Sequence, residues 1–178
     1  MSIKKPLVFG ILLIVGILLA DDEPVFPDFT LAALDGQTIT LSEVCSESPV
    51  ILTFWATWCK PCIKELRKLD EMEELLENHG VTLLAICEDG PRTRAKVKPF
   101  AQKEGWDFVI IMDTGESVKK SAGVADIPEL FILSGDREIL YHHIGFKPGD
   151  EAEYQQKVEE LFPVVKKAGG PGEDEVEE

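Results

Sequence analysis

The 178 residues carry 33 acidic against 18 basic side chains, a formal charge of −15, which argues against nucleic-acid binding, since phosphates call for clustered Lys and Arg. A chain of this length can bury a core as one domain without help from metals or disulfides. Its 44% hydrophobic and 29% charged residues are those of a globular protein and exclude a wholly disordered one.

Lys4 and Lys5 precede an apolar run, Leu7 to Ala20, broken only by Gly10 and Gly16 and followed at once by Asp21–Asp22–Glu23. The run is short for a membrane span, which needs roughly 20 residues. It suits the central region of a secretory signal, so residues 1–20 are expected to be a cleaved signal, with a retained membrane anchor through residues 6–20 as the alternative. Either reading puts the protein outside the cytoplasm, in the periplasm or cell envelope, where conditions are oxidising. Residues 21–168 are expected to form one domain, and 169–178, rich in Gly, Pro and acid, a disordered acidic tail.

Phe29 to Thr40 reads as a hairpin turning at Asp35–Gly36, with a short helix from Ser42. Val50–Trp55 is a continuous apolar run of strand length, as expected of a strand buried on both faces. The next helix carries Ile63, Leu66, Leu69, Met72, Leu75 and Leu76 as its apolar stripe, has Pro61 in its first turn, and stops at Asn78–His79–Gly80. Val81 to Cys87 is a second buried strand, which makes a βαβ unit with parallel strands. Further elements follow: a helix over 93–104, a strand over 108–112, a short helix over 116–122, a hairpin of 129–133 with 138–144 around Gly135–Asp136, and an amphipathic helix over 150–162.

Within this frame the segment Thr53-Phe54-Trp55-Ala56-Thr57-Trp58-Cys59-Lys60-Pro61-Cys62 runs from a buried strand into a helix N-terminus. Disulfide exchange needs one accessible thiolate and a second thiol close enough to resolve the mixed disulfide. A two-residue spacing in the first helical turn brings two sulfurs together, and the helix N-terminus, with Lys60 alongside, favours the Cys59 thiolate. Cys62, one turn in, is then the resolving thiol. A zinc site would need a further paired cluster, yet Cys45 and Cys87 stand alone and His142–His143 are adjacent on a strand. No metal or other cofactor is expected.

The decamer ending at Cys62 resembles the thioredoxin superfamily, and most closely the exported TlpA/ResA-type thiol–disulfide oxidoreductases. Gly123–Val124–Ala125–Asp126–Ile127–Pro128 is similar to the family's stretch with a cis-proline beside the cysteine pair. The likeness spans residues 24–162 in element order. It implies an α/β fold, a thioredoxin-like three-layer sandwich with a mixed central sheet and an added N-terminal hairpin. It also implies exchange with protein disulfides or dithiols, usually in the reducing direction, as on apocytochrome c cysteines, with electrons from a membrane electron-donor protein. Trp58, Lys60, Pro61, Ile127 and Pro128 are the expected substrate-facing residues. Thioredoxins place a buried Asp six residues before the first Cys, where this chain has Thr53. The expected proton acceptor is instead Glu88, just after the second strand, with a solvated acidic loop as the bland reading of the same residue. A copper chaperone and a thiol peroxidase on this fold are the rival functions. The first spaces its cysteines by three residues, and the second needs a peroxidatic Cys in a Pro- and Thr-containing loop.

Cys45 precedes the first buried strand and Cys87 ends the parallel one, so the two lie at opposite sheet ends. A six-residue strand spans about 20 Å, beyond the roughly 7 Å that a disulfide tolerates. Both are expected to be free, with Cys87 buried near the redox centre and Cys45 exposed near a loop.

Overall fold

The structure, a computed structural model, describes residues 24–164. The expected leader and acidic tail lie outside the described residues. Pro24–Phe26 enters along the later hairpin: Val25 bridges Glu138, and the Phe26 N–H donates to the Arg137 carbonyl at 2.8 Å. Strands β1 (Thr30–Ala32) and β2 (Thr38–Thr40) pair antiparallel. Their turn is closed by Asp35, which accepts from the Gln37 N–H at 2.9 Å, and by Gly36 at φ 96°, where a side chain would be strained. Helix α1 (Leu41–Glu47) follows directly.

The central sheet has the order β5-β4-β3-β6-β7. Strand β3 (Val50–Trp55) is wholly buried and lies between parallel β4 (Thr82–Cys87) and antiparallel β6 (Glu129–Leu133). Strand β5 (Val109–Met112) runs parallel outside β4, and β7 (Ile139–Ile144) antiparallel outside β6. The N-terminal hairpin seals the β5 edge: Ala33 bridges Ile111, and the Leu34 N–H donates to the Ile110 carbonyl at 2.7 Å.

Alternation along β3 sends Ile51 and Trp55 to one face and Val50, Leu52 and Phe54 to the other. The first face is covered by α2 (Lys60–Asp70), α3 (Glu73–His79), α4 (Val97–Glu104) and α6 (Asp150–Leu161). The second is covered by α1, the entry segment and α5 (Ser117–Ala122). The result is the mixed-sheet, three-layer sandwich with an added hairpin that the sequence led us to expect.

Three local features differ from expectation. The helix after Cys59 is broken in two. The Met72 N–H turns back to the Leu69 carbonyl at 3.1 Å, and Met72 sits at φ −92°, ψ 5°, before α3 restarts. No Gly or Pro marks the break; the buried Leu69, Met72 and Leu76 all keep contact with the first core cluster across it. The helix expected over 93–104 begins as a 3₁₀ turn, Arg94–Lys96, and becomes α-helical only at Val97. Pro99, which has no N–H to donate, thus falls in the first turn of α4. Cys45 is buried rather than exposed, at 1% exposure. It follows Leu41 by four residues on the inner face of α1 and joins the second cluster. Cys87 is also fully buried, on the opposite face of the sheet, and both thiols are free.

Candidate redox site

The C-terminal ends of β3 and β4 and the start of β6 share one edge of the sheet, where Trp55 lies opposite Cys87 and Phe54 opposite Glu129. Beyond Trp55 the chain turns through Ala56–Thr57–Trp58 into α2. The turn is held by Asp89, a buried carboxylate that accepts from the Thr57 N–H at 2.7 Å and the Thr57 hydroxyl at 2.8 Å. Burial opposes the charge on Asp89. The donors from Thr57, Thr93 and Cys87 outweigh it and hold its carboxyl below the usual range.

Cys59 is the N-cap of α2, and Pro61 follows in the first turn. Cys59 and Cys62 form a disulfide with Cα atoms 5.3 Å apart. The Cys62 N–H donates to Cys59 Sγ at 3.3 Å. In the reduced form the same N–H, with the other free amides of the helix start, stabilises a thiolate there. Cys59 keeps 6% exposure and Cys62 none. Cys59 Sγ lies 3.7 Å from the Ile127 carbonyl, and the Ile127–Pro128 peptide bond is cis.

A groove of about 390 Å³ opens beside the pair, lined by Pro61, Ile127, Pro128, Ile144, Gly145 and Phe146, with Lys147, His143 and Asp150 at its polar end. Trp58 stands at 62% exposure and Ile144 at 65%. Lys60 is exposed at the helix start. The structure therefore gathers Cys59, Cys62, Pro61, Ile127 and Pro128 at one place, and Trp58 and Lys60 flank the nucleophile in sequence.

Glu88 is oriented otherwise. Its carboxylate is paired with Lys119 Nζ at 2.8 Å, on α5, and is itself 2% exposed. Burial raises its pKa and Lys119 works against the rise. Cys87 packs in the cluster that holds Cys59 and Cys62, and strand alternation turns the next residue away from it.

Beneath the cysteines lies a carboxyl that sequence reading passed over. Glu65 follows Cys62 by three residues, so both occupy the inner face of α2, and it is 0% exposed. Its Oε2 accepts from the Thr53 hydroxyl at 2.6 Å and its Oε1 from the Tyr154 hydroxyl at 3.0 Å. Burial pushes the Glu65 pKa up to about 7; the two hydroxyl donors pull against this, and the charge of Asp150 adds to it. Thr53 is the position where thioredoxins carry their buried Asp, so here the helix supplies the acid that the strand lacks. The available signal was a Glu on an otherwise apolar stripe, between Cys62 and Leu66.

The AhpC/TSA family profile matches residues 24–142. The chain belongs to the AhpC/TSA family. Among its relatives, the thiol-disulfide oxidoreductase ResA of Bacillus thuringiensis is 31% identical over 133 residues, which cover 74% of this chain and 75% of the relative. A Chlorobium tepidum protein assigned as thiol:disulfide interchange protein DsbE superposes with a TM-score of 0.71 at 26% identity, over 79% of this chain and 96% of its own. A thioredoxin-like protein of Porphyromonas gingivalis does so with a TM-score of 0.64 at 33% identity, over 77% and 91%. With its paired Cys59 and Cys62, this AhpC/TSA member is a thiol–disulfide oxidoreductase with a thioredoxin-like fold.

Proposed function

We propose that the protein reduces disulfides in other exported proteins, outside the cytoplasm, with Cys59 as nucleophile, Cys62 as resolving thiol and Glu65 as the proton acceptor for Cys62. The observation that carries this reading is the Cys59–Cys62 disulfide at the start of α2, with the fully buried Glu65 carboxyl one helical turn from Cys62 and bonded to the Thr53 and Tyr154 hydroxyls. The Cys59 thiolate attacks one sulfur of the substrate disulfide, forming a mixed disulfide and releasing the other sulfur as a thiolate that takes up a proton. Cys62 passes its proton to Glu65 and attacks Cys59 Sγ. The substrate's second sulfur leaves as a thiolate that takes up a proton, Glu65 gives up the proton it received, and the Cys59–Cys62 disulfide remains, two electrons having moved to the substrate. Glu65 thus takes the role that sequence alone gave to Glu88, whose charge is engaged by Lys119.

Trp58, Lys60, Pro61, Ile127 and Pro128 form the substrate-facing surface in this reading, and the groove beside them has room for an extended peptide. An exported oxidoreductase must be re-reduced from outside its own compartment, so a membrane electron-donor protein supplies the dithiol that resets the pair. The basic-then-apolar run of residues 4–20 supports export or membrane association, and apocytochrome c cysteines are a fitting client.

The test is turnover and trapping. Reduced protein accelerates insulin reduction by dithiothreitol, and Cys59→Ser abolishes the acceleration; acceleration that survives this change refutes the assignment. Cys62→Ser holds clients as mixed disulfides for identification by mass spectrometry. Peroxide consumption faster than disulfide reduction would transfer the protein to thiol peroxidase chemistry.

A further inference from the structure

We infer that Tyr154, on the last helix, is a positioning residue for exchange, its hydroxyl fixing the buried Glu65 carboxyl against Thr53 beneath the cysteine pair. The inference rests on the function proposed above and extends it to α6, which follows Cys62 by some ninety residues and bears neither cysteine.

Glu65, Thr53 and Tyr154 are each 0% exposed, so the carboxylate lies away from bulk solvent and relies on its hydrogen-bond partners. Two hydroxyls meet its two oxygens, one from β3 and one from α6. A buried carboxylate with two donors is far better stabilised than one with a single donor. The Tyr154 ring is itself held. It meets the Tyr141 ring edge-on at 6.3 Å and the His143 ring at 5.4 Å, both on β7. Burial, reinforced by Glu65, pushes the Tyr154 phenol far up, so it remains a donor throughout the working range. The titratable groups around Glu65 are Cys62 on its own helix, Tyr154 and Asp150 on α6, and behind them Tyr141 and His143 on β7. His143 bonds both Tyr141 and Asp150, at 3.2 Å each. Strand β3 contributes the uncharged Thr53.

Removing the Tyr154 hydroxyl leaves the ionised form of Glu65 with one donor fewer, so the proton is held more tightly. In Tyr154→Phe the midpoint of the pH–rate profile for single-turnover insulin reduction should rise by about one unit. The rate should fall about fivefold at pH 7 and return to the wild-type value at pH 9. A merely structural defect slows the reaction alike at every pH. In a Glu65→Gln background the Tyr154→Phe change should have no further effect on the profile. A second probe spares the packing: with Tyr141→Phe, Tyr154 is the sole tyrosine of the two, and its replacement by 3,5-difluorotyrosine makes it a stronger donor. That replacement should move the midpoint down. Insulin reduction by the wild type tests the function itself. With that activity present, the inference is overturned by a Tyr154→Phe profile that superimposes on wild type or drops uniformly. It is equally overturned by a shift that persists without Glu65, or by a fluorinated protein whose midpoint does not fall.

Discussion

Glu65→Gln should make the oxidised protein more stable at pH 8 while slowing its chemistry. An unfolded glutamate releases its proton near 4.5, whereas folding holds the Glu65 proton up to about 7. Between those values the folded chain carries more protons than the unfolded one, so its unfolding free energy falls as pH rises. The loss begins above 4.5 and is complete once pH has passed the folded value. Each pH unit of that gap is worth about 1.4 kcal/mol, which makes the whole about 3 kcal/mol. A glutamine of the same shape never ionises and can still accept from Tyr154 through its amide oxygen. Wild type and variant should therefore unfold at similar denaturant near pH 5, and the variant should lead by up to about 3 kcal/mol at pH 8. The assay is guanidinium unfolding of the oxidised forms at pH 5, 6, 7 and 8, with equal slopes in both proteins as the check on two-state behaviour. Charges shared by both chains cancel in the comparison. A difference that stays constant across this range, or that favours wild type as pH rises, refutes the placing of a near-neutral carboxyl beneath the cysteines.

Native oxidised protein should show no rapidly reacting thiol, because burial raises Cys45 to about 11 and Cys87 still further; Ellman titration after denaturation should then count two. Lys119→Met strands the buried Glu88 carboxylate and should cost about 3 kcal/mol in a denaturant melt, much of it recovered by adding Glu88→Gln; no recovery would mean that the pair is not the source of the loss. Asp89→Asn weakens the grip on Thr57, with an expected cost of about 2 kcal/mol and slower insulin reduction. Because folding depresses the Asp89 pKa from 3.8, its contribution is present above that value and is lost as pH falls through the lower folded one. The acid limb of the stability curve should therefore flatten in Asp89→Asn, and an unchanged limb would count against the assignment.

The first buried strand, its parallel partner and the cysteine pair were legible because each is written locally. Val50–Trp55 is apolar without interruption, and only a helix start turns a two-residue spacing into bonding distance. The hairpin announced itself by Asp35–Gly36. What escaped depends on partners distant in sequence. Glu65 stands on the inner stripe of its helix between Cys62 and Leu66, but its setting shows only when Thr53 and Tyr154, 12 and 89 residues away, close on it. Glu88 sits one strand position past Cys87, and that single step carries it to Lys119 rather than the cysteines. Cys45 was misread from its nearness to a loop, although its spacing from Leu41 already put it on an inner helical face. The break at Met72 has no Gly or Pro to mark it, and Leu69, Met72 and Leu76 stay in the first core cluster across it.

The entry of the chain at Pro24–Phe26 bears on how the molecule is held. That segment is tied to Arg137, Glu138 and Ile139, at the turn where β6 passes into β7. Cys59 follows the other end of the sheet, and six-residue β3 sets about 20 Å between the two poles. A molecule tethered through the residues ahead of Pro24 is thus held by its foot, with the reactive sulfur and Trp58 at its head. Under the function proposed above, with such a tether, clients would meet that head from the aqueous side, and a bilayer-embedded donor would have to raise its own cysteines toward it on a domain or an arm.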